Sequence, residues 1–341
     1  MIRRSLFFAA PHQVEIREET LGPPGPGQVL VQTLISAISP GTEMLIYRGQ
    51  APGDLAVDET IFALAGRFGF PLKYGYAVIG RAVALGEGVP EEWQDRLVFA
   101  FNPHESHFLA NLEELLLPPS SLTPETAVFF PNMETALTLV MDGQPQLGEQ
   151  VAVFGQGVVG LLLTGLLSRL PLASLVTLDM HASRRGLSMN WGAHLSLDPG
   201  APGALEQLLD NLSGAGSYRG ADLCYEVSGN PQALEQAIAV TGFHGRVVIG
   251  SWYGLKKADL NLGGRFHRSR MRLISSQVST VAPELSGRWS KFRRYLLAWR
   301  MLQETDPRPL ITQRFPLAQA AQAYALLDKN PAEALQVILT Y

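Results

Sequence analysis

The sequence predicts an α/β protein that combines a doubly wound parallel sheet with a second, β-rich domain. Three observations support this prediction. Short strand-like runs punctuated by glycine and proline fill the first hundred residues. From Thr123 the pattern changes to helix, and apolar strands then alternate with helices, as in a parallel sheet. A length of 341 residues favours two domains rather than one.

The β-rich part begins with strands and then turns into helix. Within Ser36–Gly49 a loop leads into a helix, and Thr123 caps a later helix that has Pro124 at its first position and runs to Met141. The predicted strands of this part are Arg3–Ala9, Val14–Glu18, Val29–Ile38, Arg81–Leu85 and 96–101.

The alternating part follows, and the chain closes with further helices and strands. Helices are predicted over Trp289–Gln303 and Leu317–Leu327. The predicted strands are 151–154, 174–178, Asp222–Glu226, Arg246–Gly250, Arg272–Val278, Leu310–Phe315 and Gln336–Thr340.

Three glycines follow the strand at Val151–Phe154 in the spacing GxGxxG. Gly155 permits a tight turn, Gly157 allows backbone to approach a pyrophosphate, and Gly160 allows close helix packing. An apolar helical run to Leu170 then presents its N-terminus to the phosphates. Asp179, about twenty residues on at the end of the next strand, is placed to accept hydrogen bonds from ribose hydroxyls. The stretch therefore predicts a dinucleotide site, against the alternative of a packing turn.

Composition excludes several classes of protein. A content of 46% hydrophobic and 17% charged residues is typical of globular chains. The net charge of −4 argues against nucleic acid as a partner. Cys224 is the one cysteine, which excludes an intramolecular disulfide and a multi-cysteine metal site. The apolar runs are too short for a signal peptide or a membrane span. We expect a cytoplasmic protein with a small-molecule substrate.

Several stretches resemble the medium-chain dehydrogenase/reductase superfamily. They include GPPGPGQVLVQTLISAIS, GYAVIGRAVALG, the Gly155 motif, ADLCYEVSG and PLITQRFPL, and the resemblance covers nearly the whole chain. It implies a GroES-like catalytic domain over residues 1–132 and 277–341 and a Rossmann cofactor domain over 133–276. The nicotinamide would lie in the cleft between them.

The resemblance also implies a set of cofactor contacts. Asp179 favours NAD because it repels a 2′-phosphate, while Arg184 and Arg185 leave NADP as an alternative. The strand Arg272–Val278 would form an exposed apolar edge and pair in a homodimer. The expected cofactor-binding residues are Gly155, Gln156, Gly157, Val158, Val159, Gly160, Asp179, Arg184, Ser228, Gly250, Thr135 and Ser276.

The chain departs from the zinc-dependent members of the superfamily. Where they carry zinc ligands, this sequence has the loop Ser39–Glu43 without cysteine, Tyr76-Ala77 in place of His-Glu, and Pro131. Proline cannot ligate zinc and tyrosine is a rare ligand, so we expect no metal. The stretches ISPGTE, GSWYG and RFHRSRMRLISSQVS resemble a zinc-lacking subgroup that includes bacteriochlorophyllide a dehydrogenase. This resemblance implies hydride exchange at a secondary alcohol or ketone.

Three hydroxyl side chains are the catalytic candidates without zinc. Tyr76 could donate a hydrogen bond to a substrate oxygen that gains negative charge, or its ring could simply fill the space of the missing metal. Thr42 and Ser39 could relay a proton to water, or could cap the following helix. Glu43 fits a structural ion pair better than a base.

Other clusters leave the substrate open. His104, Glu105 and His107 fit a polar loop better than an acid–base or metal site. Between residues 265 and 300 nine cations stand against one acid, Glu284, so this segment either attracts an anionic group or forms a solvated face. Together with aromatic residues at Trp252, Tyr253, Trp289 and Trp299, it suggests a bulky, carboxylated substrate rather than a short-chain alcohol. The alternative functions are reduction of enones or quinones and non-catalytic nucleotide binding.

Overall fold

The computed structural model describes residues 1–212 and 219–341. It contains two larger sheets and a separate hairpin of β1 and β2. The strands are β1 (Ile2–Ala10), β2 (Gln13–Thr20), β3 (Gln28–Ile38), β4 (Val78–Leu85), β5 (Leu97–Ala100), β6 (His107–Asn111), β7 (Leu115–Leu116), β8 (Gln150–Phe154), β9 (Ser174–Leu178), β10 (Leu195–Leu197), β11 (Ala221–Glu226), β12 (Thr241–Ile249), β13 (Arg272–Ser275), β14 (Ile311–Pro316) and β15 (Gln336–Thr340).

The α-helices of the described ranges lie mainly between the strands of the second half. None of them is long and apolar enough to cross a membrane. They are α1 (Thr42–Tyr47), α2 (Pro124–Ala127), α3 (Phe130–Gly143), α4 (Val158–Leu167), α5 (Ala182–Asn190), α6 (Ala204–Asn211), α7 (Pro231–Val240), α8 (Lys291–Thr305) and α9 (Ala320–Lys329).

The chain divides into two compact units. The first comprises Met1–Pro131 and Trp299–Tyr341, and the second comprises Asn132–Ala298. The predicted catalytic segment 277–298 thus falls in the second unit. Arg294 explains this placement, since its buried guanidinium donates to Glu134 on α3 at 2.6 Å and to the carbonyl oxygens of Val278 and Thr280.

The second unit is a parallel sheet with the strand order β10-β9-β8-β11-β12-β13. In this order the direction of strand succession reverses between β8 and β11, which is where doubly wound sheets bind nucleotides. Strand β13 lies at the edge, as predicted, although it ends at Ser275 rather than Val278. The first unit holds the order β14-β15-β3-β4-β5-β7 with β6 paired to β3, so its main sheet includes the last strand of the chain. The predicted fold class of a Rossmann sheet with a second, β-rich domain is confirmed.

Two predicted helices end differently in the structure. Thr123 does accept the N–H of Thr126 as an N-cap, but α2 stops at Ala127 and α3 starts at Phe130. Pro131 accounts for the break, because it has no N–H for the carbonyl of Ala127 and its ring would clash there. Helix α4 ends at Leu167 rather than Leu170, ahead of Pro171.

Candidate functional site

The glycine-rich turn of the second unit joins β8 to α4. Gly155 has a φ of +98°, and a Cβ there would lie 2.6 Å from the Cα of Ser228. A Cβ at Gly160 would lie 2.0 Å from the carbonyl oxygen of Gly155, so the helix meets the turn without room for a side chain. A Cβ at Gly157 would meet open space. The turn therefore combines a strained bend, close packing and an open face, which are the requirements of a pyrophosphate site.

The first turn of α4 offers main-chain donors. It begins at Val158 without a side-chain cap, so its first N–H groups lack an intrahelical partner and favour an anion. The side chain of Gln156 is fully buried, donating to the Gly155 carbonyl and accepting from Thr164. Val158 is buried and Val159 half-buried. Val158 and Val159 are thus suited to act through their backbones, whereas the backbone N–H of Gln156 already donates to Asp179.

Asp179 follows β9 and is nearly buried, with 8% exposure. One carboxylate oxygen accepts the N–H of Gln156 at 2.8 Å, and the other accepts the N–H of His181 at 2.8 Å. The carboxylate therefore ties the glycine-rich turn to the start of α5. Each oxygen retains a second lone pair that can accept from a ribose hydroxyl.

Two arginines on α5 lie close to Asp179. Arg185 donates to the main-chain oxygens of Asp179 and Met180 and pairs with Asp198. Burial lowers the pKa of the Arg184 guanidinium, and the nearby charge of Asp179 partly offsets this effect. Arg185 is thus largely committed to the backbone, and the half-buried Arg184 on the same helix lies near the charge of Asp179.

The end of β11 forms the other side of the turn. Glu226 is fully buried and accepts from the N–H and hydroxyl of Ser228 and from the phenol of Tyr253. Burial and the charge of Glu226 raise the pKa of Tyr253. The Ser228 hydroxyl is therefore held by the protein, and its backbone faces Gly155. Sequence reasoning missed this link, although an acid at the end of an apolar strand was a usable signal.

The remaining predicted cofactor residues have structural partners. Gly250 donates its N–H to the Glu226 carbonyl, and a Cβ there would lie 2.6 Å from Leu139 of α3. The Ser276 hydroxyl donates to Asp142 at 2.6 Å. Thr135 is half-buried on α3. The structure thus gathers Gly155, Gln156, Gly160, Asp179 and Ser228 around one turn, whereas the Ser276 hydroxyl contacts α3 instead.

The first unit brings the three catalytic candidates together. The half-buried Tyr76 donates its phenolic hydrogen to Ser39 Oγ at 2.6 Å. Burial raises the pKa of Tyr76, while its hydrogen-bonding interactions with the Ser39 and Thr42 side chains act in the opposite direction. Ser39 also accepts the N–H of Thr42 at 3.4 Å, so the capping alternative and the hydroxyl cluster coexist. Tyr76 is therefore a protonated donor at neutral pH.

A buried network lies behind this cluster. Glu43 and His104 are both fully buried, and His104 Nε2 lies 3.0 Å from Glu43 Oε2. The preferred interpretation of His104, Glu105 and His107 is a polar loop, and in the structure the first two of these residues are buried. Glu105 is buried among Arg3, Lys73 and Ser5, and only His107 is half-buried.

The residues at the expected zinc positions do not fit the metal. Proline at positions 40 and 131 has no side-chain donor atom, and the Tyr76 phenol is occupied with Ser39. Across residues 1–212 and 219–341, no three His, Cys, Asp or Glu side chains are grouped to hold a metal ion.

The aromatic and basic residues predicted to serve a substrate are dispersed. Trp299 is buried in the first unit and stacks on Phe130 at 4.2 Å, so it is core. Arg265 donates to the Thr241 carbonyl, and Arg294 is buried on Glu134. Trp252 is partly exposed after β12. Two of the nine cations of this segment are thus committed to partners within the protein.

Comparison with known proteins gives relatives along nearly the full length. No protein-family model matches the chain. The zinc-type alcohol dehydrogenase-like protein YphC of Escherichia coli K12 is 25% identical over 351 residues and covers 92% of each chain. D-guloside 3-dehydrogenase of the same organism is 22% identical over 330 residues, with 92% and 93% covered. A short chain alcohol dehydrogenase from E. coli CFT073, solved with NADH, superposes with a TM-score of 0.80 at 17% identity, covering 100% and 99%.

These similarities agree with the glycine-rich turn and the strand order of the second unit. They do not separate the zinc-lacking subgroup from other members, so that finer resemblance stays a prediction. The chain is thus similar over nearly its full length to zinc-type alcohol dehydrogenase-like proteins of the medium-chain dehydrogenase superfamily, and these relatives support an NAD(P)-dependent oxidoreductase.

Proposed function

We propose that the protein transfers hydride reversibly between NAD(H) and the carbon of a secondary alcohol or ketone, without zinc. The observation that carries the proposal is the hydroxyl pair Tyr76–Ser39, which occupies the place expected for zinc ligands and points to hydrogen-bond catalysis. The names of the relatives, D-guloside 3-dehydrogenase among them, support action on an alcohol.

The bound nicotinamide would supply or accept the hydride at its C4 atom. The chain's own task is to stabilise the negative charge that develops on the substrate oxygen during ketone reduction. A tyrosine whose pKa is raised keeps its proton and can donate it to that oxygen. The hydroxyls of Ser39 and Thr42 can rotate to donate to Tyr76, which would stabilise the phenol oxygen as it loses its proton. In alcohol oxidation Tyr76 would take the proton of the substrate hydroxyl while it passes its own proton to Ser39, and Ser39 would release its proton to water.

Three finer points belong to the same proposal. Asp179 supports NAD over NADP, because a 2′-phosphate would lie against its carboxylate, and Arg184 alone opposes this preference. The partly exposed Trp252 supports a bulky substrate, whereas an anionic substrate has less support now that Arg265 and Arg294 are paired within the protein. A homodimer would use the edge strand β13. Cytoplasmic localisation stays a prediction.

A hydride-transfer panel tests the reaction class. Purified protein is assayed with NADH and NADPH against ketones and with NAD and NADP against secondary alcohols, alongside enones and quinones. We expect turnover of bulky ketones and secondary alcohols with NAD(H). Turnover of enones or quinones alone would assign the alternative reductase chemistry. Nucleotide binding without turnover of any class would leave a non-catalytic protein.

A further inference from the structure

A row of buried polar side chains crosses the interior of the first unit. The Tyr341 phenol lies 2.8 Å from Ser36 Oγ, which lies 2.7 Å from His104 Nδ1. His104 Nε2 continues to Glu43 Oε2, which also receives the phenol of Tyr324. Ser36, Glu43 and His104 have 0% exposure. We call this row the Glu43–His104 network.

The direction of these hydrogen bonds follows from their donors. Glu43 Oε1 accepts the N–H of Ser39 at 2.8 Å, which is a donor in every state. Burial and the charge of Glu43 raise the pKa of Tyr324, so this phenol keeps its proton and donates to the carboxylate. With only acceptors on Glu43, the imidazole must donate from Nε2, and in its neutral form it then accepts at Nδ1. Tyr341 then donates to Ser36, and Ser36 donates to His104.

The network reaches both members of the catalytic pair. Its contact with Ser39 is the hydrogen bond from the main-chain N–H to Glu43. Its link to Tyr76 is indirect and passes through the preceding residue, Gly75, which has a φ of +131°. A Cβ at Gly75 would lie 2.9 Å from both Cδ2 and Nε2 of His104. The imidazole therefore packs on the backbone one residue before Tyr76. The Glu43–His104 network thus supports both Ser39 and Tyr76, whose hydroxyl oxygens lie 2.6 Å apart.

We propose that Glu43 and His104 are positioning residues that hold Ser39 and Tyr76 in donor geometry, with His104 fixed as the Nε2–H tautomer. The catalytic part of this inference rests on the proposed function, whereas the tautomer does not. Burying three polar groups costs free energy unless each is hydrogen-bonded, and an apolar core would fill the same space. A role in orienting the donor pair accounts for this arrangement. In this proposal His104 has no direct contact with Tyr76 or with the substrate oxygen, and it exchanges no proton with the substrate.

The first test is Glu43→Gln, which keeps the shape and replaces one acceptor oxygen by an NH₂ donor. Because Ser39 N–H still needs an acceptor, the new NH₂ must face both His104 and Tyr324. We expect the Tyr324 phenol to rotate into an acceptor and the imidazole to switch to the Nδ1–H tautomer. Nitrogen-15 NMR of histidine-labelled protein reads this change directly. We expect kcat to fall on the order of 10²-fold, as for a displacement of about 1 Å, with NADH affinity unchanged. Glu105→Gln is the matched control, a buried carboxylate of the same unit that should alter neither tautomer nor kcat.

The second test compares His104→Gln with His104→Leu and holds even where Glu43→Gln fails to fold. The glutamine amide reproduces the N–C–N geometry of imidazole, so it can donate to Glu43 and accept from Ser36, and we expect kcat close to that of the wild type. Leucine offers neither bond, and its kcat should fall as in Glu43→Gln. Equal loss in both variants would make His104 an acid–base group and overturn the positioning role. An unchanged tautomer in Glu43→Gln would also overturn it, whereas a wild-type protein without hydride-transfer activity would refute only the proposed function.

Discussion

Replacing Tyr76 by phenylalanine isolates the phenol from the ring. The aromatic contact with Tyr74, whose ring centroid lies 6.1 Å away, remains, while the hydrogen bond to Ser39 at 2.6 Å is lost. Removal of one donor to a developing oxyanion typically lowers kcat by about 10²–10³-fold, equivalent to about 2.7–4 kcal/mol of transition-state stabilisation. We therefore expect a kcat reduced by this factor in Tyr76→Phe. NADH affinity should be unchanged, because the nucleotide turn belongs to the other unit of the chain.

The assay follows NADH absorbance at saturating ketone, with NADH affinity from fluorescence titration. Tyr74→Phe is the control, a fully buried neighbour with the same change of side chain. Burial raises the pKa of Tyr76 above its ordinary value of about 10, so the donor is present below that value and lost only as the pH rises through it. The ratio of wild-type to Tyr76→Phe rates should thus be constant from about pH 6 to 9. A variant with wild-type kcat would show that the ring only fills the space of the absent metal.

Further predictions concern the cofactor, the metal and the assembly. Asp179→Ser should move the preference from NADH towards NADPH in parallel titrations, and at least tenfold tighter NADPH binding by the wild type would contradict the role of this carboxylate. Gly160→Ala should abolish NADH binding in the same titration because its Cβ would lie 2.0 Å from the Gly155 carbonyl oxygen, and retained affinity would count against a close helix–turn contact. Elemental analysis should find no stoichiometric zinc, and a chelator should leave activity intact. One zinc per chain would refute the interpretation that Pro40, Tyr76 and Pro131 cannot form a zinc site. Light scattering at micromolar concentration should give a dimer, and a monomer would remove β13 as an interface.

Local sequence signals predicted most of the fold. The turn at Gly155 and the N-cap at Thr123 depend on residues a few positions apart, and both appear as expected. The break before α3 was also encoded locally, in Pro131, but the apolar periodicity on either side of it masks the signal. The extent of each unit was harder to predict from the sequence, because the ion pair of Arg294 with Glu134 joins residues that are 160 positions apart.

The site shows the same division between local and distant information. The convergence of Ser39, Thr42 and Tyr76 was anticipated from their positions in the resemblance. The network behind them was not, because His104, Ser36 and Tyr341 are brought together only by the pairing of β3 with β15 and by the loop after β5. The polar run NPHESH predicts a surface position for its histidine, because the partners that bury His104 are distant in the sequence.

The two hydrogen bonds from main-chain N–H groups to Asp179 order the nucleotide site before the nucleotide binds. They tie Gln156 and His181 to the carboxylate independently of any ligand, so the loop needs little rearrangement on binding. A site ordered in advance loses less conformational entropy on association, and affinity gained in this way does not depend on which dinucleotide arrives. Asp179→Ser should therefore slow the association of NADPH as well as NADH. Its shift in preference towards NADPH would then come from relief of the repulsion of the 2′-phosphate together with weaker binding of NADH.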